Sequence, residues 1–167
     1  MIRRNFIFAI KMRFNLIPTR LQTNRDQEQR TQCRRCGEVS GAQECLIHVA
    51  QNCSYNHGLT CRRHNEIISL LVSLMESAGS NCVTESLLKV GDATYKPDLV
   101  ISKEGKCWTM DISIPYENKD SLAKCHKEKC QKYLSLSEAA RELTRATEFS
   151  TLAFVIGERG AWCRNNC

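Results

Sequence analysis

No stretch of this 167-residue sequence approaches the ~18 consecutive apolar residues of a membrane-crossing helix, so no transmembrane span is expected. No secretory leader is expected either. Met1 to Ile10 carries two arginines followed by Phe-Ile-Phe-Ala-Ile, but Lys11 and Arg13 cut that run short and no small-residue cleavage site follows. The segment is expected to be the first helix of a folded region. An even cysteine count is also lacking: there are 11 cysteines, and without a leader they argue against the disulfide framework of a small secreted domain. What remains is a chain with 42% hydrophobic and 25% charged residues, the proportions of a soluble domain, long enough for one modest core plus a small accessory element.

The net charge of +6 is unevenly placed. Residues 1–35 hold nine Arg or Lys against Asp26 and Glu28, which leaves the remainder close to neutral. A basic arm ahead of a neutral domain suits a polyanionic partner, although a charge run is also what a solvated linker looks like. The cysteines are uneven too. Cys33, Cys36, Cys45, Cys53 and Cys61 crowd one short stretch and the others are scattered, a distribution that suits reduced thiols with a single metal site.

The crowded stretch reads Cys33-Arg-Arg-Cys36, eleven residues, His48, four residues, Cys53. A Cys-x2-Cys turn lets two thiolates grip one ion from a tight loop, and His48 and Cys53 are expected on a helix over 44–52. Four such ligands suit tetrahedral Zn²⁺. Gly37 follows the second cysteine, where a tight turn asks for glycine. The stretch has few sizeable apolar residues (Val39, Leu46, Ile47, Val49), so metal is expected to contribute much of its folding energy. Cys45 in place of His48 would give an all-cysteine site, and His57 and Cys61 are further candidate ligands.

From Arg62 the periodicity changes. Ile67, Ile68, Leu71, Leu74, Met75 and Ala78 recur at helical spacing over 62–78, and Gly79 supplies a stop. Strand-like runs follow at Cys82–Val90, Leu99–Ser102 and Cys107–Ile114, the last two joined by a Lys103-Glu-Gly-Lys106 turn. Residues 119–147 have a long helical pattern, and Thr151–Ile156 reads as a final strand before Gly157. The order helix, three strands, helix, strand predicts an α/β core with helices around a mixed sheet.

Two acids stand out within it. Asp98 follows Lys96-Pro97 at the start of a strand, and the proline keeps Lys96 extended. Asp111 lies inside the next strand, flanked by apolar residues, where an unpartnered carboxylate would be costly. Adjacent antiparallel strands can bring the two together, and paired carboxylates repel unless a cation sits between them, which suits Mg²⁺. Among Lys124, Lys127, Lys129 and Lys132, about 100° per residue puts Lys129 on the apolar face with Leu122, Tyr133, Leu136, Ala140 and Leu143. Lys129 is therefore the lysine expected to face the sheet, unless its stem packs there and its ammonium snorkels to water.

These residues, taken in order, match a family. Cys33-x2-Cys36…His48-x4-Cys53, Arg63-His64-Asn65-Glu66-Ile67, Lys96-Pro97-Asp98, Asp111 and Lys129-x2-Lys132-Tyr133 resemble the series in R2-type restriction-like endonucleases, found after the reverse transcriptase in non-LTR retrotransposon polyproteins. The lead-in Arg13-Phe-Asn-Leu-Ile-Pro18-Thr-Arg20 and the tail Gly157-Glu-Arg-Gly160-Ala-Trp162 look similar too, so the resemblance covers nearly the whole chain. It implies a PD-(D/E)xK-type, restriction-endonuclease-like core preceded by a CCHC zinc knuckle and a basic N-terminal helix. The divisions expected are 1–32 for the arm, 33–61 for the knuckle and 62–167 for a nuclease domain, C-terminally truncated, with no reverse transcriptase. Asp98 and Asp111 would bind Mg²⁺ or Mn²⁺, and Lys129 would be the active-site lysine. Ser113 stands where the common motif has its lysine, so the amine must come from the helix. Glu85 and Glu66 are further candidates for holding metal or water, each equally readable as a surface glutamate. His64 is expected to be a hydrogen-bonded core residue.

The resemblance implies a divalent-metal-dependent endonuclease that nicks double-stranded DNA for target-primed reverse transcription, in the nucleus, with element RNA as a second partner. The alternatives are a non-catalytic nucleic-acid-binding fragment of a decayed or domesticated element, or a disulfide-rich structural protein.

Overall fold

The computed structural model of the chain describes residues 3–27 and 31–166. Met1 and Ile2 of the expected first helix, Glu28 and Arg30 of the basic arm, and Cys167 lie outside the described residues. The chain divides into two compact units, one of residues 1–63 with 158–161, the other of residues 64–157 with 162–167. None of the described helices is long and apolar enough to cross a membrane.

The first unit is built from short elements. Helix α1 spans Arg3–Arg13, α2 Arg20–Thr23 and α3 Gly37–Ser40. Helix α3 stops where Gly41 turns left-handed at φ 66° and returns its N–H to the Gly37 carbonyl. Gly37 has no left-handed backbone to explain it. A Cβ added there would come 2.9 Å from the Gln32 Cβ, so close approach is what requires glycine. The helix expected over 44–52 begins only at Leu46 and is wound as a π-turn across His48–Asn52. Of the apolar residues expected to be buried in this stretch, Leu46 is, whereas Val39 is 97% exposed. So little apolar burial leaves the unit dependent on contacts other than an apolar core.

The second unit is mixed α/β with a mixed sheet. Helix α4, His57–Ser77, starts five residues ahead of the periodic pattern, and only its residues from His64 onward belong to this unit. The sheet runs β1-β4-β5-β6: β1 (Asn81–Thr84), β4 (Leu99–Lys103), β5 (Lys106–Ser113) and β6 (Glu148–Val155). The first two pairings are antiparallel and β5–β6 is parallel. The run expected as one strand, Cys82–Val90, is instead two, because Glu85 takes φ 55° and turns the chain out of β1. Its second half, β2 (Leu88–Val90), pairs with β3 (Ala93–Tyr95) in a separate hairpin. The turn between β4 and β5 is the two-residue kind expected, with Glu104 at φ 50° and Gly105 at φ 76° between paired Lys103 and Lys106.

The helical pattern over 119–147 also divides, into α5 (Ser121–Lys132) and α6 (Ser137–Thr144), with a 3-10 turn at Leu134–Leu136. The break lets Tyr133, Leu136 and Ala140, all fully buried, pack with Val100 and Cys107 on one face of the sheet. On the other face Leu99, Ile101, Met110 and Ile112 meet Ile67, Ile68, Leu71, Val72 and Met75 of α4. Alternating strand residues thus feed two separate cores. Leu143, expected on the buried stripe, is 47% exposed because α6 no longer continues α5.

Candidate functional site

In the first unit Cys33, Cys36, His48 and Cys53 converge, all four buried, with their ligand atoms within 4.8 Å of one another. The Cys33 and Cys53 sulfurs are 3.9 Å apart, those of Cys53 and Cys36 3.8 Å, and Cys36 Sγ lies 3.2 Å from His48 Nε2. A disulfide would need ~2.05 Å, whereas an ion about 2.3 Å from each sulfur at tetrahedral angles requires about 3.8 Å between them. The donor set therefore fits a metal ion such as zinc. The ten described cysteines are all free thiols, which does not agree with a disulfide-rich structural protein. Neither Cys45 nor Cys61 joins the cluster; Cys61 Sγ instead meets His57 Nε2 at 3.6 Å on an exposed helical turn.

The π-turn explains His48 and Cys53. On an α-helix, residues five apart sit about 140° from one another, facing different ways. A π-turn closes an i→i+5 hydrogen bond, here Cys53 N–H to the His48 carbonyl at 2.7 Å, and stacks the two ligands. Burial pushes the Cys33 thiol up, but the Cys36 and Arg35 N–H groups of the Cys-x2-Cys loop, with His48 and the Cys36 thiol, outweigh it and bring it to about 6. Burial holds the Cys53 thiol above its usual range. The loop thus favours one thiolate before any cation arrives.

A residue not singled out in the sequence organises this loop. Glu44 has a side chain only 4% exposed. It accepts hydrogen bonds from Arg34 Nη2 at 2.6 Å, Arg34 N at 2.9 Å and Arg20 N at 3.0 Å. The Arg34 guanidinium, most of all, and the two N–H groups overcome desolvation and bring its carboxyl down to about 2. Arg34 lies inside the Cys33–Cys36 turn, so Glu44 fixes the path of the ligand loop and ties it to the start of α2. Nothing in a single sequence distinguishes such a glutamate from a surface one.

In the second unit the strand register brings Asp98 and Asp111 together. Leu99 pairs with Met110, so one step beyond the ladder Asp98 stands opposite Asp111. Cross-strand neighbours in this position have Cβ atoms about 4.5–5.5 Å apart. Burial raises the Asp98 pKa, and Asp111 adds to the rise, against the Ile112 N–H and His64, which lower it. Asp98 Oδ2 accepts the Ile112 N–H at 2.7 Å and lies 3.3 Å from His64 Nε2. Asp111 is 3% exposed; its Oδ2 receives Lys129 Nζ at 2.6 Å and its Oδ1 the Tyr133 hydroxyl at 3.3 Å.

Lys129 therefore reaches the acids from α5, while Ser113 ends β5 and contributes backbone pairing. Two neighbours were not predicted. Lys132 Nζ donates to the Tyr133 hydroxyl at 2.7 Å and stands 3.9 Å from Asp111 Oδ2. Tyr133 is fully buried, its phenol pushed up by that burial and by Asp111. Their signal was the Lys129-x2-Lys132-Tyr133 run: on α5 Lys132 lies about 60° around the helix from Lys129, at the edge of the apolar stripe. His64 was expected in a core, yet its side chain is 31% exposed and touches Asp98. Glu85 is 73% exposed and pairs with Lys96 at 3.2 Å, and Glu66 is exposed on α4. Neither forms a three-ligand group with Asp98 and Asp111 among the described residues.

No family model matches the chain. It is similar to the "Retrovirus-related Pol polyprotein from type-1 retrotransposable element R2" of Popillia japonica, 30% identical over 166 residues, which cover 97% of this chain and 33% of that protein. The protein of the same name from Bradysia coprophila is 28% identical over 167 residues, covering 97% of this chain and 18% of that one. The corresponding polyprotein of the type-2 element R2DM of Drosophila melanogaster is 25% identical over 162 residues, covering 95% and 15%. This chain is thus homologous to R2 retrotransposon Pol polyproteins, and it spans a third or less of these three relatives' length.

Proposed function

We propose that this retrotransposon-derived chain is a divalent-metal-dependent endonuclease module that nicks one strand of double-stranded DNA. The observation that carries the reading is the facing pair Asp98 and Asp111 with Lys129 Nζ 2.6 Å from one of them. Two acids and an amine gathered by two strands and a helix have the composition of a PD-(D/E)xK site, with the lysine supplied from α5. In this reading residues 1–32 form a basic arm, 33–61 a CCHC zinc knuckle and 62–167 a restriction-endonuclease-like domain. Acting in the nucleus, the chain would have duplex DNA and element RNA as its polyanions.

Asp98 and Asp111 would hold a Mg²⁺ or Mn²⁺ ion, and the chemistry of the donor set fits: the facing carboxylate of Asp111 adds to the raised proton affinity of Asp98, and a hard cation relieves such a pair. Bound there, the cation supplies Lewis acidity and a water of lowered pKa. The chain's own residues do the rest. Lys129, held at Asp111, offers its ammonium to the negative charge that develops on a phosphate oxygen and orients the attacking water. Tyr133 fixes Asp111 through Oδ1, and the Ile112 N–H fixes Asp98 through Oδ2. The arginines of the arm and the Cys33–Cys36 loop position the duplex by its phosphates.

Supercoiled-plasmid nicking with Mg²⁺, with EDTA, and with Asp98→Asn and Asp111→Asn variants tests the proposal. Nicking should require the metal and fall on the order of a hundredfold or more in each variant. Equal rates in parent and variants would end it. One observation favours a non-catalytic nucleic-acid-binding module: Lys129 already neutralises Asp111 at 2.6 Å. Steeply salt-dependent DNA binding without metal-dependent nicking would select that reading.

A further inference from the structure

Asp98 occupies an awkward position for a metal ligand. The β4–β5 ladder ends at Leu99↔Met110, so Asp98 lies one residue outside regular pairing. What fixes its carboxylate comes from elsewhere. The Ile112 N–H donates to Oδ2, and His64 Nε2, from α4, stands 3.3 Å from the same oxygen and 3.3 Å from the Ile112 carbonyl. A carbonyl can only accept, so Nε2 carries a hydrogen and donates it to the Ile112 carbonyl, which sets the ring beside Asp98 Oδ2. Histidine and aspartate thus both lie against the Ile112 backbone, one at its carbonyl and the other at its N–H, and the contacts of Asp98 with these two residues fall on Oδ2.

We propose that His64 is a positioning residue for the divalent-metal site. Bonded through Nε2 to the Ile112 carbonyl, it stands against Asp98 Oδ2 and holds that carboxylate beside β5 for the cation. The inference rests on the nuclease reading for the site's purpose, but its content is metal affinity. Loss of an outer partner of this kind weakens metal binding by about ten- to a hundredfold.

The test uses the full chain with its cysteine cluster loaded with zinc. Mn²⁺ binding is followed by the loss of the free-ion electron paramagnetic resonance signal, and nicking is titrated with Mg²⁺ in parallel. His64→Leu removes the donor; His64→Gln keeps an N–H group at similar reach; His64→Asn keeps the polarity but is too short. The Leu and Asn variants should bind Mn²⁺ at least about tenfold more weakly. The Gln variant should stay within about threefold of the parent, and half-maximal nicking should shift in the same order. If His64→Leu fails to give the parent's circular dichroism, the Asn and Gln pair carries the comparison. Parental affinity in Leu or Asn, or a Gln variant as weak as Asn, overturns the assignment. A parent that binds Mn²⁺ with these shifts but does not nick overturns the nuclease reading alone. A parent that binds no Mn²⁺ overturns both.

Discussion

Replacing Glu44 with Gln should loosen the cysteine-cluster unit by a predictable amount that fades with acid. In the folded chain the carboxyl lies near 2, against an ordinary value of 4.5. At 1.36 kcal/mol per unit of pKa, that depression corresponds to about 3 kcal/mol at neutral pH. Arg34, the largest cause, is 57% exposed, so solvent screening argues for about 2 kcal/mol instead. Because the folded value is depressed, the stabilisation is complete above about pH 4.5 and is lost as pH falls toward 2. Hydrogen exchange over residues 31–53, parent against Glu44→Gln at matched pH, isolates the effect from other titrating groups. The variant's protection should be about thirty- to a hundredfold lower at pH 7, and the gap should narrow to less than half its free energy by about pH 3. Two results would refute the reasoning: less than a threefold loss of protection at pH 7, or a gap that does not change with pH.

The cysteine cluster should hold close to one equivalent of zinc in the purified chain; under a tenth of an equivalent by elemental analysis would exclude a zinc site. Cys53→Ser, which removes a ligand 2% exposed, should lower both zinc content and exchange protection over residues 31–53. Thr109 is fully buried on β5 and its hydroxyl has no hydrogen-bond partner among the described residues. Thr109→Val keeps the shape and removes the orphan, so thermal unfolding should show a gain of about 1 kcal/mol; a loss of that size would mean the hydroxyl is satisfied.

Legibility followed the kind of signal. Strong periodicity found α4, and β4 and β5 lie where their apolar runs fall, because burial on one sheet face leaves little choice of register. The register alone brought Asp98 opposite Asp111, one link from sequence to geometry. What periodicity does not encode was misread. Glu85 breaks a strand by its backbone angle, and residues 119–147 keep helical spacing across a real break at Tyr133–Leu136. The four converging ligands were legible by residue type and spacing, but the winding that brings His48 to Cys53 was not. Glu44, Lys132 and the His64–Asp98 contact depend on tertiary approach, which a single sequence does not report.

The π-turn at His48–Asn52 makes the ligand spacing forgiving. Such a turn is an ordinary helix carrying one surplus residue. Deleting a residue between His48 and Cys53 would let the backbone relax to i→i+4 winding, and both side chains would still stack on one side. The loss of one residue is thus taken up by winding, and the same four donor side chains stay together.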